Sequence, residues 1–283
     1  MQPAFDRRER MKIYKYWTLE KQKILIDGIQ QEINCYGGSN VSVEEAQSRA
    51  REKAEKIRRK IAGDKNVFDR YEAEIREEIL QLIDDHAAIT RNRYGAQVLN
   101  TKNLMILDID KPKPVAGGGL GGLFKKKDAR PPKEQIFEMV RDLSASAQYK
   151  DYDFRTYETY QGARVIVLGG HFDPHDQATK KMMDEFHCDP LYTTLCNKQG
   201  CFRARLTPKP YRMNMSPYKV NFPRDPGEGV DIEFQRWLAE YERESRNYTV
   251  CKFIEQIGVR HYIDKVIQIH DEITGIDYPQ RLA

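Results

Sequence analysis

A short apolar run that ends in two aspartates constrains this chain more than any other feature. Residues 104–107 (LMIL) are continuously apolar, which is typical of a strand buried on both faces, and Asp108-Ile109-Asp110 follows directly. Because side chains alternate along a strand, Asp108 and Asp110 lie on the same face. Two carboxylates there must be protonated, paired or metal-bound. We expect catalytic Asp108 and Asp110 to hold Mg²⁺ or Mn²⁺; the alternative is an acidic strand end in water.

The segments around this run alternate between strand and helix patterns. Strands are predicted near 95–100 and 103–110 and at 152–159 and 163–168, and helices at 133–146 and near 176–187. The resulting order, β-β-α-β-β-α, contains the βαββα portion of an RRM-like (ferredoxin-like) sheet. The sequence therefore predicts an α+β protein whose RRM-like antiparallel core spans residues 91–225.

Both ends of the chain are predicted to be helical. In the N-terminal region, 1–90, apolar spacing predicts helices over 18–35, 42–61 and 66–86, and Ser42 and Glu45 form a capping box. The C-terminal region, 226–283, is predicted to form helices packed on the core, one capped by Asp231 and a later one with an apolar face over 250–257. The alternating charges of 44–60 fit a solvated helical hairpin. The alternative is an arm for self-association, a protein partner or nucleic acid.

A basic and aromatic strip occupies residues 190–224, where no acidic residue occurs. Its seven cations stand out because the net charge of the whole chain is only +4. Arginine and lysine neutralise phosphates and aromatic rings stack on bases, so the strip predicts binding to DNA or RNA. The alternative is a basic loop lying on acidic N-terminal helices. The cations and rings are Lys198, Arg203, Arg205, Lys209, Arg212, Lys219 and Arg224, with Tyr192, Phe202, Tyr211, Tyr218 and Phe222 between them.

A second set of cations lies on the predicted hairpin. Arg155 and Arg164 are placed to bind phosphates, or to pair with Glu158 and Asp153 instead. Between the aspartates and the first core helix lies a Gly- and Lys-rich loop, 111–130, whose composition is typical of a mobile linker or lid. It contains no GxxxxGK[ST] phosphate loop.

Two further features favour packing over chemistry. His270 shares an apolar helix face, which indicates a core or interface histidine more than a catalyst. His187, Cys188, Cys196 and Cys201 could be zinc ligands, but they lack a Cys-x-x-Cys pair, so buried free thiols are favoured.

Hydropathy and cysteine content indicate the cellular compartment expected for this chain. The mean hydropathy is −0.75, no apolar run reaches 18 residues, and the first residues have no apolar signal region. Five cysteines in 283 residues are too few for a disulfide scaffold. We expect a cytoplasmic protein that does not enter the membrane.

The motif LMILDID at 104–110 resembles the hhDhD motif of archaeo-eukaryotic-type primase-polymerases. The segment 159–167 (TYQGARVIV) resembles their second motif, with Arg164 at the position nearest the usual histidine. The stretch from Asp189-Pro190-Leu191-Tyr192 to 201–210 is similar to uncharacterised bacterial proteins with the same Asp-x-Asp. The similarity covers about residues 94–212. A third carboxylate motif is not evident, and Asp173 matches it only loosely.

The resemblance implies a nucleotidyltransferase with an RRM-like catalytic core. Asp108 and Asp110 would bind divalent metal together with a nucleoside triphosphate, and the phosphate-binding set would hold triphosphate or nucleic acid. That set is Arg155, Arg164, Arg203, Arg205, Lys209 and Arg212.

Two other functions compete with this interpretation. One is a non-catalytic nucleic-acid-binding or interaction protein on a degenerate form of the same fold. The other is a metal-dependent phosphohydrolase, because Asp108-Ile109-Asp110 is similar to the start of haloacid-dehalogenase phosphatases, although Lys111-Pro112 replaces the residues expected next.

Overall fold

The computed structural model describes residues 11–26, 28–64, 74–111, 130–224 and 227–283. Within these ranges the chain is an α+β protein with two four-stranded antiparallel sheets. The strands are β1 Tyr16–Ile26, β2 Ile29–Ser39, β3 Glu78–Leu82, β4 Ala87–Arg91, β5 Gln97–Thr101, β6 Met105–Asp110, β7 Asp153–Thr159, β8 Gly162–Leu168, β9 Phe202–Arg205, β10 Tyr248–Thr249, β11 Cys251–Ile257 and β12 Arg281–Leu282. The helices are α1 Val43–Ile61, α2 Pro132–Ser144, α3 Gln177–Glu185, α4 Pro190–Gln199, α5 Gly229–Ser245 and α6 Lys265–Thr274.

The central sheet has the strand order β11-β7-β8-β6. The predicted strands β6, β7 and β8 are confirmed, and every residue of β8 is buried, as its apolar sequence requires. Helices α2 and α3 are also confirmed. The fourth strand, β11, lies beside β7, whereas a ferredoxin-like sheet places its last strand beside its first. The antiparallel α+β class is therefore present, but the sheet order differs from the predicted one.

The second sheet has the strand order β3-β4-β5-β9. A short turn joins β5 to β6, so the two sheets adjoin at that point, and one hydrophobic core runs through both. In β9, Phe202 and Ala204 are buried in that core. Arg203 and Arg205 therefore lie on the opposite face, as predicted for a strand.

The prediction of a helix over 18–35 is wrong, because β1 and β2 form an antiparallel hairpin there. Its turn contains Gly28 at φ +79, a backbone conformation that L side chains rarely adopt. The predicted helix over 42–61 is confirmed as α1, with the Ser42 hydroxyl accepting a hydrogen bond from the Glu45 backbone N–H. Three alanines of α1 pack on β2, where Gly37 leaves no room for a side chain. The described part of region 1–90 thus contains the hairpin, the helix α1, β3 and the start of β4, and self-association through this region stays a prediction.

Three further predictions need correction, or concern residues outside the described ranges. Residues 78–82 of the predicted helix 66–86 form β3, and residues 65–73 are outside the described residues, as are 112–129 of the Gly- and Lys-rich loop. Residues 251–257 of the predicted helical face over 250–257 form β11 instead. Asp231 lies inside the first turn of α5 and does not cap it; it accepts a hydrogen bond from Arg224. None of the described helices is long and apolar enough to cross a membrane.

Candidate functional site

A cleft of about 1150 Å³ opens where the Asp-bearing end of the central sheet meets β9 of the second sheet. Seven of the eight predicted site residues line it: Asp108, Asp110, Arg164, Arg203, Arg205, Lys209 and Arg212. The fold therefore brings together side chains that lie up to 104 positions apart, counting from Asp108 to Arg212. The eighth, Arg155, is not among the lining residues.

The two aspartates occupy the cleft side of β6. Asp108 is opposite Arg164 of β8, and Asp110 is opposite Gly162, where a side chain would collide with the backbone of Ile109. Directly opposed residues of an antiparallel pair point to the same side of the sheet, so Arg164 and Asp108 face one another. Asp108 is partly buried and Asp110 is exposed. Burial raises the pKa of Asp108; Arg164 acts against this rise, and the Asp110 charge adds to it.

Arg164 is held in place by groups behind the cleft. Its Nη1 lies 2.9 Å from Nε2 of His270, and its Nη2 donates to the Arg205 carbonyl oxygen at 3.0 Å. Arg164 is 6% exposed, so its orientation is determined by these partners rather than by solvent. It therefore presents a fixed positive charge beside Asp108.

His270 is the connection between Arg164 and a buried charge network. Burial lowers the pKa of His270 to about 4, so the imidazole is neutral at pH 7. Its Nδ1 lies 2.8 Å from Oδ1 of Asp271, and a neutral ring can donate there while its Nε2 accepts from Arg164. Asp271 also accepts hydrogen bonds from Tyr157 at 2.7 Å and from Arg155 at 2.6 Å. The prediction that His270 lies in the core is confirmed, since it is fully buried.

Arg155, predicted to bind phosphate, is the one member of the set that the structure places outside the cleft lining. Its guanidinium forms a buried ion pair with Asp271 and donates to Tyr157, whose ring lies on the same face of β7. These contacts neutralise the charge of Arg155 inside the fold, beneath α6. Neither of the two partners proposed from sequence, Glu158 and Asp153, is bound to Arg155 or Arg164: Glu158 pairs with Lys133, and Asp153 accepts from His261.

Three other cations face the cleft. Burial lowers the pKa of Arg205, and the neighbouring charges of Arg164 and Arg212 act in the same direction. Arg212 stacks on Tyr160 at 4.4 Å, and Lys209 lies 5.8 Å from the ring centre of Tyr211. An anion that entered the cleft would relieve this crowding of like charges.

Two cations of the 190–224 strip are neutralised by acids of the N-terminal region. Arg203 donates to Glu77 at 2.6 Å, and Arg224 donates to Glu78 at 3.0 Å. For these two residues the alternative interpretation, a basic segment lying on N-terminal acids, is the one observed. The beginning of the strip, residues 190–199, forms α4, which is capped by Asp189.

Helix α4 connects the two sheets at the floor of the cleft. The Tyr192 hydroxyl donates to the Ile106 carbonyl at 2.7 Å and accepts from the Arg203 N–H at 3.3 Å. The backbone N–H of Asp189 donates to the Asp108 carbonyl, so α4 also covers the free edge of β6. No local sequence pattern indicates this role of Tyr192.

Asp108 and Asp110 are two carboxylates in the cleft that could supply oxygen ligands to a cation. Among the described residues, no group of three or more His, Cys, Asp and Glu side chains is arranged to hold a metal ion, and Asp173 does not line the cleft. Mg²⁺ sites commonly use one or two carboxylates completed by water and substrate phosphates.

The three cysteines considered as zinc ligands, Cys188, Cys196 and Cys201, are buried free thiols. Burial raises the pKa of the Cys196 thiol to about 12.

Comparisons with known proteins add no family assignment: no family model, curated protein or solved structure matches the chain.

Proposed function

We propose that the chain is a primase-polymerase-like nucleotidyltransferase that binds a nucleoside triphosphate and Mg²⁺ or Mn²⁺ in the cleft. The observation that carries the proposal is that two carboxylates, Asp108 and Asp110, and two arginines, Arg164 and Arg205, line the same cavity. Asp108 and Arg164 are also directly opposed in the sheet. Carboxylates alone would repel a triphosphate, and arginines alone would leave a metal without ligands. Together they suit a metal–triphosphate complex.

Each residue has a distinct task in this proposal. Asp108 and Asp110 supply oxygen ligands to the cation, which lowers the negative charge on the phosphates when it is bound. Arg164 and Arg205 donate to phosphate oxygens from fixed positions. A nucleotide hydroxyl oxygen bonds to the α-phosphorus as the bond to the β-phosphate oxygen breaks. Pyrophosphate leaves, and the hydroxyl proton passes to solvent. Catalysis is then positioning and charge stabilisation.

The phosphohydrolase alternative receives less support. A haloacid-dehalogenase-type start belongs to a doubly wound, mainly parallel sheet, whereas β6 pairs antiparallel with β8. The non-catalytic alternative predicts nucleic-acid binding without any dependence on metal or triphosphate.

The proposal is tested by equilibrium binding of a fluorescent ribonucleoside triphosphate with Mn²⁺. Wild-type protein is expected to bind in Mn²⁺ and to lose binding in EDTA. Asp108→Asn removes a charged ligand without changing shape, and its affinity is expected to fall at least about tenfold, in line with the cost of losing one charge-assisted contact. The matched control is Asp151→Asn, an exposed carboxylate paired with Arg260 and absent from the cleft lining.

Control protein should bind as wild type. Binding that persists in EDTA, or that Asp108→Asn leaves at the wild-type value, would overturn the assignment of the metal–nucleotide site to Asp108 and Asp110.

A further inference from the structure

The cleft is larger than the metal–triphosphate site needs. Pockets for small molecules typically enclose about 300–1,000 Å³, and this one encloses about 1150 Å³. Part of its lining, called here the outer wall, comes from β1, β2, the segment before β3, the turn between β4 and β5, and the segment around Phe222.

Aromatic rings and cations lie close to one another on this outer wall. The rings of Trp17, Tyr36, Tyr94 and Phe222 line the cleft, and Arg76 and Arg93 line it beside them. Arg76 lies 3.6 Å from the Tyr36 ring centre, a stacked arrangement. Arg93 lies 5.0 Å from the ring of Tyr94, and Lys219 lies 5.5 Å from the same ring. Phe222 has Arg224 at 5.8 Å.

Local hydrogen bonds hold the Trp17 ring and the backbone that carries Tyr94. The Trp17 indole N–H donates to the Tyr14 carbonyl at 2.9 Å, and the two rings meet edge to face. Tyr94 lies in a turn in which the Asn92 side chain accepts from the N–H groups of Tyr94 and Ala96. Rings held in this way lose little conformational freedom when a flat partner stacks on them.

The charge of the cleft is positive, even though acids also line it. Seven cations stand against four carboxylates. Of the four, Glu74 is paired with Lys53 from outside the lining, and Glu77 is paired with Arg203, one of the seven cations. Six lining cations therefore remain against Asp108 and Asp110, so a polyanion meets a net positive cleft.

We propose that this outer wall is a binding site for single-stranded nucleic acid, with bases stacked on Trp17 and Tyr94 and the phosphate backbone held by Arg76 and Arg93. Base faces are free for stacking only where strands are unpaired, and the combination of rings with cations is the general design of single-strand binding grooves. This inference rests on the proposed function, because the bound strand would lie beside the nucleotide at Asp108. The contacts themselves do not involve the aspartates.

The test measures anisotropy of labelled oligo(dT) and oligo(U) of about 12 nucleotides, a length within the usual span of one binding module. It is done in EDTA without nucleotide, so the result does not depend on the metal site. Trp17→Ala and Tyr94→Ala are each expected to weaken binding about tenfold, the effect typical of losing one stacking platform. Tyr262→Ala is the matched control, because Tyr262 is 96% exposed and outside the cleft lining.

A second readout uses the two tryptophans of the chain, Trp17 and Trp237. In Trp237→Phe the remaining emission comes from Trp17, and a stacking base should quench it in proportion to the bound fraction. Unchanged affinity in both ring variants, equal loss in Tyr262→Ala, or equal affinity for a duplex of the same sequence would overturn the proposal. Failure of manganese-dependent nucleotide binding by wild type would overturn the proposed function instead.

Discussion

Replacing Arg164 with leucine is expected to lower the affinity for a manganese–triphosphate complex between about tenfold and 150-fold. Arg164 faces Asp108 across the β6–β8 pair and has its orientation fixed by His270 and the Arg205 carbonyl. Loss of a hydrogen bond to a charged group costs about 1.5–3 kcal/mol, which corresponds to that range. Arg164→Lys keeps the charge but cannot reproduce the two-sided contacts of a guanidinium, so its affinity should lie between those of the wild type and the leucine variant.

The measurement is the triphosphate titration in Mn²⁺, with circular dichroism confirming that each variant is folded. Arg260→Leu is the control, since Arg260 is an exposed arginine paired with Asp151 away from the cleft. A folded leucine variant with wild-type affinity would remove Arg164 from the proposed phosphate site.

Asp271→Asn is expected to lower the free energy of unfolding by about 3–5 kcal/mol, the usual cost of removing one partner of a buried ion pair. The side chains of Arg155 and Asp271 are only 11% and 14% exposed, so the guanidinium would be left in the core without its counter-charge. Tyr157 and His270 would lose a charged acceptor at the same time.

Urea unfolding at pH 7 measures this change. Glu272→Gln is the matched control, because Glu272 is an exposed acid on the same helix. Equal stability of Asp271→Asn and wild type would show that the network beneath α6 does not anchor the central sheet.

The residues around the aspartates could be predicted because their signals are local. The apolar run of β6, the β7–β8 hairpin and the Ser42 cap of α1 each depend on neighbours within a few positions. The same local rules failed at the ends. Helical spacing is shown by Leu19, Ile26, Ile29 and Ile33, but their segment forms the β1–β2 hairpin. The spacing of apolar residues does not reveal how strongly two strands stabilise one another by pairing.

Partners of the buried charges could not be predicted, for a related reason. Arg155 and Asp271 lie 116 positions apart, and Arg164 and His270 lie 106 apart. Strand alternation gives the face on which an arginine lies but not the helix that covers this face. The sequence therefore indicated Glu158 and Asp153, which are near in the chain, while the fold supplies residues of α6. Trp17 and Tyr94 were missed similarly, because only the tertiary structure brings them to the cleft of Asp108.

The most direct test of the central claim is nucleotidyl transfer itself. Purified protein is incubated with Mn²⁺, ribonucleoside triphosphates and a single-stranded oligonucleotide, and both labelled product and released pyrophosphate are quantified. We predict equal molar amounts of incorporated nucleotide and pyrophosphate from wild type and from Asp151→Asn, and loss of both in Asp108→Asn and Asp110→Asn. Incorporation at the wild-type rate by the two cleft variants, or no incorporation by wild-type protein that binds the triphosphate, would contradict the assignment.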